Sequence, residues 1–456
     1  MKLFIKKTIA ALIAFALTAC FVSCSDMGGG SSLSMDGEIS GEASAPEGYY
    51  KNGDVAGLIG GTGTYHRVGY SGEGSGEYVP MQGEGIDAGL MTASARFDND
   101  HYEDYLLLFK KGDTQSGQGE QDEKNEDGKF YSFMGSDNWG VDASKRVTVR
   151  VFEQGSPVCG AKISCYNADQ TKAAAVTDAA GKAYLFPSDT SGTVTVTVGN
   201  NTYEKDFSAT ERDLTMEISG AAAKEEIIKL MFVIDVTGSM GDELQYVVKE
   251  LENVISRVVY ANGNVSIDLS FLFYRDDGDE EKFVFRDFSR VTEGNKLAVM
   301  KQSVSSVQAT GGGDYPEALD EALETAVGAN WGDGNSTKII FHIFDAPAHS
   351  GAENKTRFSG AVKTACEKGI RINPVLCSGA DLLCEYLARQ SAILTGGHFV
   401  YVTDDSGIGG EHHDPKIDDA VVERLNDLMV RLINGYYTGV FADPVAWRSE
   451  LEEQEN

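Results

Sequence analysis

The sequence predicts a multidomain chain: an α/β, doubly wound, Rossmann-like domain preceded by a small all-β sandwich. Two patterns carry this reading. Over residues 225–436, apolar runs suited to strands alternate with stretches whose apolar residues recur at three- and four-residue steps. Over 145–218, short runs alternate apolar with polar residues and are separated by turn signals.

Composition narrows the function. The chain has 456 residues, with 39 Lys and Arg against 70 Asp and Glu, a net charge of −31. That field repels a phosphate polyanion, so nucleic acid is not an expected partner. Hydrophobic content of 41% suits folded domains, and seven cysteines are too few for a disulfide scaffold of this length.

The N-terminus reads as an address. Lys2, Lys6 and Lys7 precede a short apolar run, Thr8 to Thr18, which is too short to span a membrane. Leu17-Thr18-Ala19-Cys20 closes it and resembles the lipobox of bacterial lipoproteins. The resemblance implies lipidation at Cys20, with Cys24 as the fallback anchor. The expected organisation is a signal peptide over 1–20 and a Gly- and Ser-rich tether or irregular region over 21–86. A small region of unknown fold covers 87–144, the sandwich 145–220, the α/β domain 225–436 and a tail 437–456. Within 87–144, Leu106 to Phe109 is an expected strand and 111–128 a polar loop.

In the sandwich, Val147, Val149 and Val151 alternate with polar residues, as do Val194, Val196 and Val198. Val158 to Tyr166 and Lys182 to Phe186 are further expected strands, which leaves Cys159 and Cys165 on one strand and unable to pair if it is extended. The runs Gly155 to Ile163 and Thr177 to Phe186 resemble carboxypeptidase regulatory-like and Cna-B-type sandwiches, which implies a spacer without chemistry of its own.

In the α/β domain, Ile227 to Val236 is a continuous apolar run, as for a strand buried on both faces. Leu244, Val247, Val248, Leu251, Val254, Ile255 and Val258 then lie on one helical face. Val265 to Tyr274 and Phe283 to Phe288 form an expected hairpin. Strands follow at 338–344, 370–377 and 399–403. Helices are expected at about 295–307, 315–327, 357–368, 380–395 and 416–434. Sheets of this kind bind ligands outside the carboxyl ends of their strands.

Three such ends carry oxygen ligands. Asp235-Val236-Thr237-Gly238-Ser239 follows the first strand. Thr310-Gly311-Gly312-Gly313-Asp314-Tyr315-Pro316-Glu317 leads into a helix. Asp345-Ala346-Pro347-Ala348-His349 follows the strand ending at Phe344. A hard divalent cation takes such oxygens at near-octahedral geometry and retains some water. Glycines let the backbone approach closely.

Phe232 to Met240 resembles the opening of a von Willebrand factor type A (VWA) domain, and its Asp-x-Thr-x-Ser matches that family's metal-ion-dependent adhesion site. The resemblance implies that Asp235, Thr237 and Ser239 are first-loop ligands and Asp345 the last-loop ligand. The middle loop departs from the common pattern; Asp314 stands in for its Thr, with Thr310 as the alternative. Tyr274-Arg275-Asp276, the Gly-Gly-Gly-Asp-Tyr-Pro-Glu-Ala run and Asp-Ala-Pro-Ala-His resemble the VWA branch also found in α-kinases, and other segments resemble VWA lipoproteins of gut-type bacteria. Glu317, His349, Arg275 and Asp404 are expected at the rim. Arg275 to Glu281 can be a second cation site, but a solvated acidic loop between two strands fits its spacing better, and Arg275 can instead pair with a carboxylate near the metal site.

The implied protein is not an enzyme. It is exported and lipid-anchored to a bacterial membrane. One divalent cation, Mg2+ with Mn2+ or Ca2+ as alternatives, engages a carboxylate of a protein partner. The membrane is met only through the anchor. The alternatives are a metal-dependent hydrolase, with His349 or Glu317 as base, and an envelope scaffold with a vestigial metal site. Among the cysteines, Cys377 and Cys384 either pair or stay as buried thiols.

Overall fold

The computed structural model describes residues 90–93, 95–111, 126–263, 265–304, 307–406, 408 and 421–446. The chain divides into Met1–Asn52 and Gly53–Asn456, and all described residues belong to the second unit. Cys20 and Cys24 lie outside the described residues.

The described chain opens with β1 (Met91–Ala93) and α1 (Tyr102–Leu107). The sandwich follows as β2 (Val147–Glu153), β3 (Ser156–Pro157), β4 (Lys162–Tyr166), β5 (Lys172–Val176), β6 (Lys182–Leu185), β7 (Gly192–Val198), β8 (Asn201–Phe207) and β9 (Asp213–Glu217). One sheet runs β3-β2-β6 with β9 also on β2, the other β5-β4-β7-β8. The alternating valines do what their period requires: Val147, Val149, Val151, Val194 and Val196 all meet in the core between the sheets.

The α/β domain comprises β10 (Ile227–Asp235), α2 (Gly241–Ala261), β11 (Ser266–Tyr274), β12 (Phe283–Val291), α3 (Lys296–Val304) and α4 (Leu319–Gly328). It continues as β13 (Thr337–Phe344), α5 (Ala352–Lys368), β14 (Ile370–Leu376), α6 (Leu382–Thr395), β15 (Val400–Tyr401), β16 (Val422–Arg424) and α7 (Leu425–Thr438). Its six-stranded sheet is ordered β12-β11-β10-β13-β14-β15. All pairs are parallel except the β11–β12 hairpin. Both faces of β10 are apolar because both are covered. Ile228, Leu230, Phe232 and Ile234 enter one core with residues of α2 and α7. Met231 and Val233 enter the other, with residues of α4, α5 and α6. Since β11 and β13 flank β10 on opposite sides, the strand order reverses there. That opens a crevice at the carboxyl ends of β10 and β13.

The described residues between 90 and 146 are built into this domain. β1 pairs antiparallel with β16, and Tyr105, Phe130 and Trp139 enter the same core as Phe358 and Tyr386. Phe133 stacks on Tyr386 with ring centroids 4.4 Å apart. Arg389 donates to both oxygens of the buried Asp98. The sandwich is docked as well: Arg371 Nη2 donates to the Val176 carbonyl at 2.7 Å and Asn335 Nδ2 to the Cys159 carbonyl at 2.8 Å.

Several element boundaries differ from the sequence reading. Leu106 and Leu107 belong to helix α1, not a strand, because a short apolar run has no period of its own to decide between the two. Cys159 precedes β4 rather than sharing it with Cys165. The helix expected at 416–434 spans 425–438 and follows strand β16. The five described cysteines are free thiols, with Cys377 and Cys384 buried, so the second of the two alternatives for that pair is the one found.

Candidate metal centre

Asp235 ends β10 and the chain turns sharply after it. Asp235 Oδ1 accepts the Thr237 backbone N–H at 2.9 Å and the Thr237 hydroxyl at 2.8 Å. Thr237 Oγ1 lies 3.3 Å from Ser239 Oγ, so the three side chains of the Asp-x-Thr-x-Ser loop form one chain of oxygens. Ser239 lies beside the Asp345 carboxylate and lowers its pKa, so the loop after β10 meets the loop after β13.

The middle loop is pinned on both sides. The Thr310 N–H donates to the Val236 carbonyl, and the Gly238 N–H to the Gly311 carbonyl. The Glu317 N–H donates to the Pro347 carbonyl. Gly311 and Gly312 have φ of +82° and +74°, a region that only glycine enters freely. Neither has room for a side chain. A Cβ at Gly312 would lie 2.7 Å from Glu317 Oε1 and 3.2 Å from Thr237 Cβ; one at Gly311 would lie 2.4 Å from Asp279 Oδ2. Asp279 Oδ2 in turn accepts the N–H groups of Gly312 and Asp276.

The carboxylates of this crevice repel one another. Burial, and then the charge of Asp345, push Asp235 up to about 7 against the two hydrogen bonds from Thr237. Burial, then Asp235, Asp276 and Asp345, push Glu317 up to about 9. Burial lifts Asp345 to about 6, with Ser239 opposing and Glu243 adding to the rise. Asp235 Oδ2, Glu317 Oε2 and Asp345 Oδ1 are buried without a hydrogen-bond partner. A buried carboxylate oxygen in that state needs a proton or a cation.

The expected residues fall into three groups. Asp235, Thr237, Ser239, Asp345 and Glu317 come together, and Glu317, expected at the rim, is only 3% exposed. Asp314 and Thr310 are exposed on the loop. Arg275 and His349 act as supports: Arg275 donates to the carbonyls of Thr310, Gln308 and Glu281, and His349 Nε2 sits 2.8 Å from Asp276 Oδ1. Asp404 lies exposed in the turn after β15, at the sheet edge.

Two nearby acids escaped the sequence reading. Glu243 is fully buried on α2, where its Oε1 accepts the Ser378 N–H at 2.8 Å. It lies one helical turn beyond Ser239, a spacing that marks a shared face. Asp276 is buried at the end of β11 rather than solvated; only Asp277, Glu280 and Glu281 of that acidic run are exposed.

Among the described residues, no three His, Cys, Asp or Glu side chains form a metal cage by themselves. The donor set therefore fits a hard divalent cation only if hydroxyls and water complete it. Thr237 and Ser239 supply the hydroxyls, and the unpartnered carboxylate oxygens supply the charge.

The α/β domain, an open sheet with these loops at its switch point, is similar to a VWA domain. Residues 229–392 match the von Willebrand factor A domain family. The chain is 26% identical over 148 residues to the alpha-protein kinase vwkA of Dictyostelium discoideum. That match covers 32% of this chain and 23% of the kinase, so the chain spans less than a quarter of that relative's length. Among solved structures it is similar to the hypothetical protein BatB of Bacteroides thetaiotaomicron, at 16% identity and TM-score 0.29, covering 38% of this chain and 90% of that one. It is also similar to a von Willebrand factor type A protein of Catenulispora acidiphila, at 13% identity and TM-score 0.32, covering 62% of this chain and 52% of that one. VWA domains are commonly protein-interaction modules.

Proposed function

We propose that this chain is an exported, lipid-anchored binding protein whose VWA domain holds one divalent cation and uses it to bind a protein partner. The observation that carries the reading is the set of buried, unpartnered oxygens on Asp235, Glu317 and Asp345, beside the hydroxyls of Thr237 and Ser239. Glu317 takes the middle-loop place in this donor set. The Asp314 and Thr310 side chains lie out on the exposed loop.

When bound, Mg2+ supplies a coordination position that an oxygen of the partner can fill. The chain's own residues do the rest. Thr237 orients Asp235 by holding one of its oxygens, and Ser239 orients Asp345. Arg275 ties the middle loop to the β11–β12 hairpin, so the donors are arranged before the ion arrives. Export and anchoring rest on the basic N-terminal segment and the Leu17-Thr18-Ala19-Cys20 pattern.

Calorimetric titration of the full chain with Mg2+ tests the metal site. One ion per chain should bind to wild type and none to Asp235→Asn. Equal binding by both proteins overturns the assignment.

A further inference from the structure

We propose that the partner segment bound at this face is basic: a Lys- or Arg-bearing stretch of protein that sets its cations against the rim while one of its oxygens reaches the metal. The inference rests on the metal-binding reading and names the partner of that same site.

The charge around the site carries it. A divalent ion offsets two negative charges, and Asp235 with Asp345 already provides two. Glu317, the third carboxylate of the donor set, carries the cage beyond the ion's two charges, and the buried Asp276, which faces His349, adds a further acid beside it. Around them the rim is acidic and exposed at Glu280, Asp314 and Asp381.

The basic groups of these loops do not offset this charge. The Arg275 guanidinium is engaged by three carbonyls. Lys282 bridges Asp277 and Glu321, and His349 faces Asp276. An acidic partner would therefore approach a metal whose charge its own cage has already offset, across a rim of like charge. A basic segment meets complementary charge at every step, which favours both its encounter and its retention.

A second feature fits the same ligand. Tyr315 is 44% exposed between Asp314 and the Asp381 loop. Its hydroxyl accepts the Asp381 N–H at 2.8 Å and donates to the Gly379 carbonyl at 3.0 Å, which fixes the ring. A held, exposed aromatic ring flanked by carboxylates is a seat for a guanidinium or ammonium group.

The test is selection of a random twelve-residue peptide library, displayed on phage, against the immobilised full chain in Mg2+. Parallel selections use EDTA, the Asp235→Asn variant, and a rim variant carrying Glu280→Gln, Asp314→Asn and Asp381→Asn. Asn keeps the α6 cap that Asp381 provides through the Cys384 N–H, and a melting curve checks that each variant folds. The expected result is Mg2+-dependent peptides of net positive charge whose retention falls at least about tenfold on the rim variant, as the loss of several close charge pairs implies. Mg2+-dependent peptides that are neutral or acidic overturn the proposal, as does a library yielding no basic binder. Basic peptides that ignore the rim variant also overturn it. Basic peptides that need the rim but bind equally in EDTA and to Asp235→Asn support the basic partner and overturn the metal reading instead.

Discussion

Thr237 holds Asp235 by one oxygen only: both its N–H and its hydroxyl donate to Oδ1, at 2.9 and 2.8 Å, and Oδ2 stays buried and unpartnered. The carboxylate is thus fixed in place without being fully satisfied. This division of one side chain into a held oxygen and a waiting one gives the site its expected behaviour with pH.

Asp235 is raised from 3.8 to about 7 and Asp345 to about 6. A raised acid binds more protons in the folded than in the unfolded state between those values. Its contribution to stability is therefore complete below about pH 4 and is lost as pH rises to about 7. Metal-free protein should lose stability across that window relative to Asp235→Asn, which has no such proton to lose. Mg2+ competes for the same oxygens, so its affinity should rise over the same range. Thermal melting in EDTA across pH, for wild type and Asp235→Asn, checks the first point; titration with Mg2+ at each pH checks the second. Parallel pH profiles for the two proteins would remove Asp235 as the titrating group.

Gly312 is the middle-loop glycine that packs against the donor set. Its φ of +74° strains any side chain, and a Cβ there meets Glu317 Oε1 at 2.7 Å. Gly312→Ala should lower stability by about 1–2 kcal/mol through the left-handed backbone alone. It should also displace the Glu317 carboxylate and weaken Mg2+ binding. Urea unfolding and metal titration of that variant measure the two effects separately.

Arg275 touches no proposed metal donor, yet it anchors the loop that carries Gly311 and Gly312 through the carbonyls of Gln308 and Thr310. Arg275→Met keeps the length of the stem and removes the donors. Supports of this kind typically set metal affinity to within about 10–100-fold. Arg275→Met should weaken Mg2+ binding by about that factor while the far-ultraviolet circular dichroism stays unchanged. Unaltered affinity would make Arg275 a brace for the fold alone.

The buried pair of Asp98 with Arg389 ties residues 90–146 to α6 across 291 positions of the chain, at 3.0 and 2.7 Å. Removing one partner of an isolated buried ion pair costs about 3–5 kcal/mol; Arg389 keeps a second partner in the buried Glu385, at 3.4 Å, so the loss here should fall below that range. Asp98→Ala should therefore lower the urea midpoint of the whole α/β domain. If residues 90–146 were an independent appendage, that midpoint would not move.

The fold was largely legible because its signals are local. A strand buried on both faces, such as β10, is apolar throughout, and α2 repeats its apolar residues at helical steps. The first loop was equally legible, since Asp235, Thr237 and Ser239 lie within five residues. The middle loop was not. Asp314 and Glu317 are three residues apart, and the turn through Pro316, set by the Glu317 N–H donating to the Pro347 carbonyl, decides which one is turned inward. Spacing cannot report that hydrogen bond. Nor could it report Arg275, whose charge suggested a carboxylate partner while its fork is filled by carbonyls. β1 could not be found either, because its partner β16 lies over 300 residues away and each strand is only three residues long.

Thermal melting of the full chain, with and without Mg2+, decides whether the strand-end site of the VWA domain binds a divalent cation in the native state, because only a ligand that prefers the native state stabilises it. At a hundredfold excess over the dissociation constant the gain is about 2.7 kcal/mol, enough to raise the melting temperature by several degrees. The account predicts that rise in wild type and none in Asp235→Asn. An unchanged melting temperature of the wild type in Mg2+, Mn2+ and Ca2+ alike would contradict it.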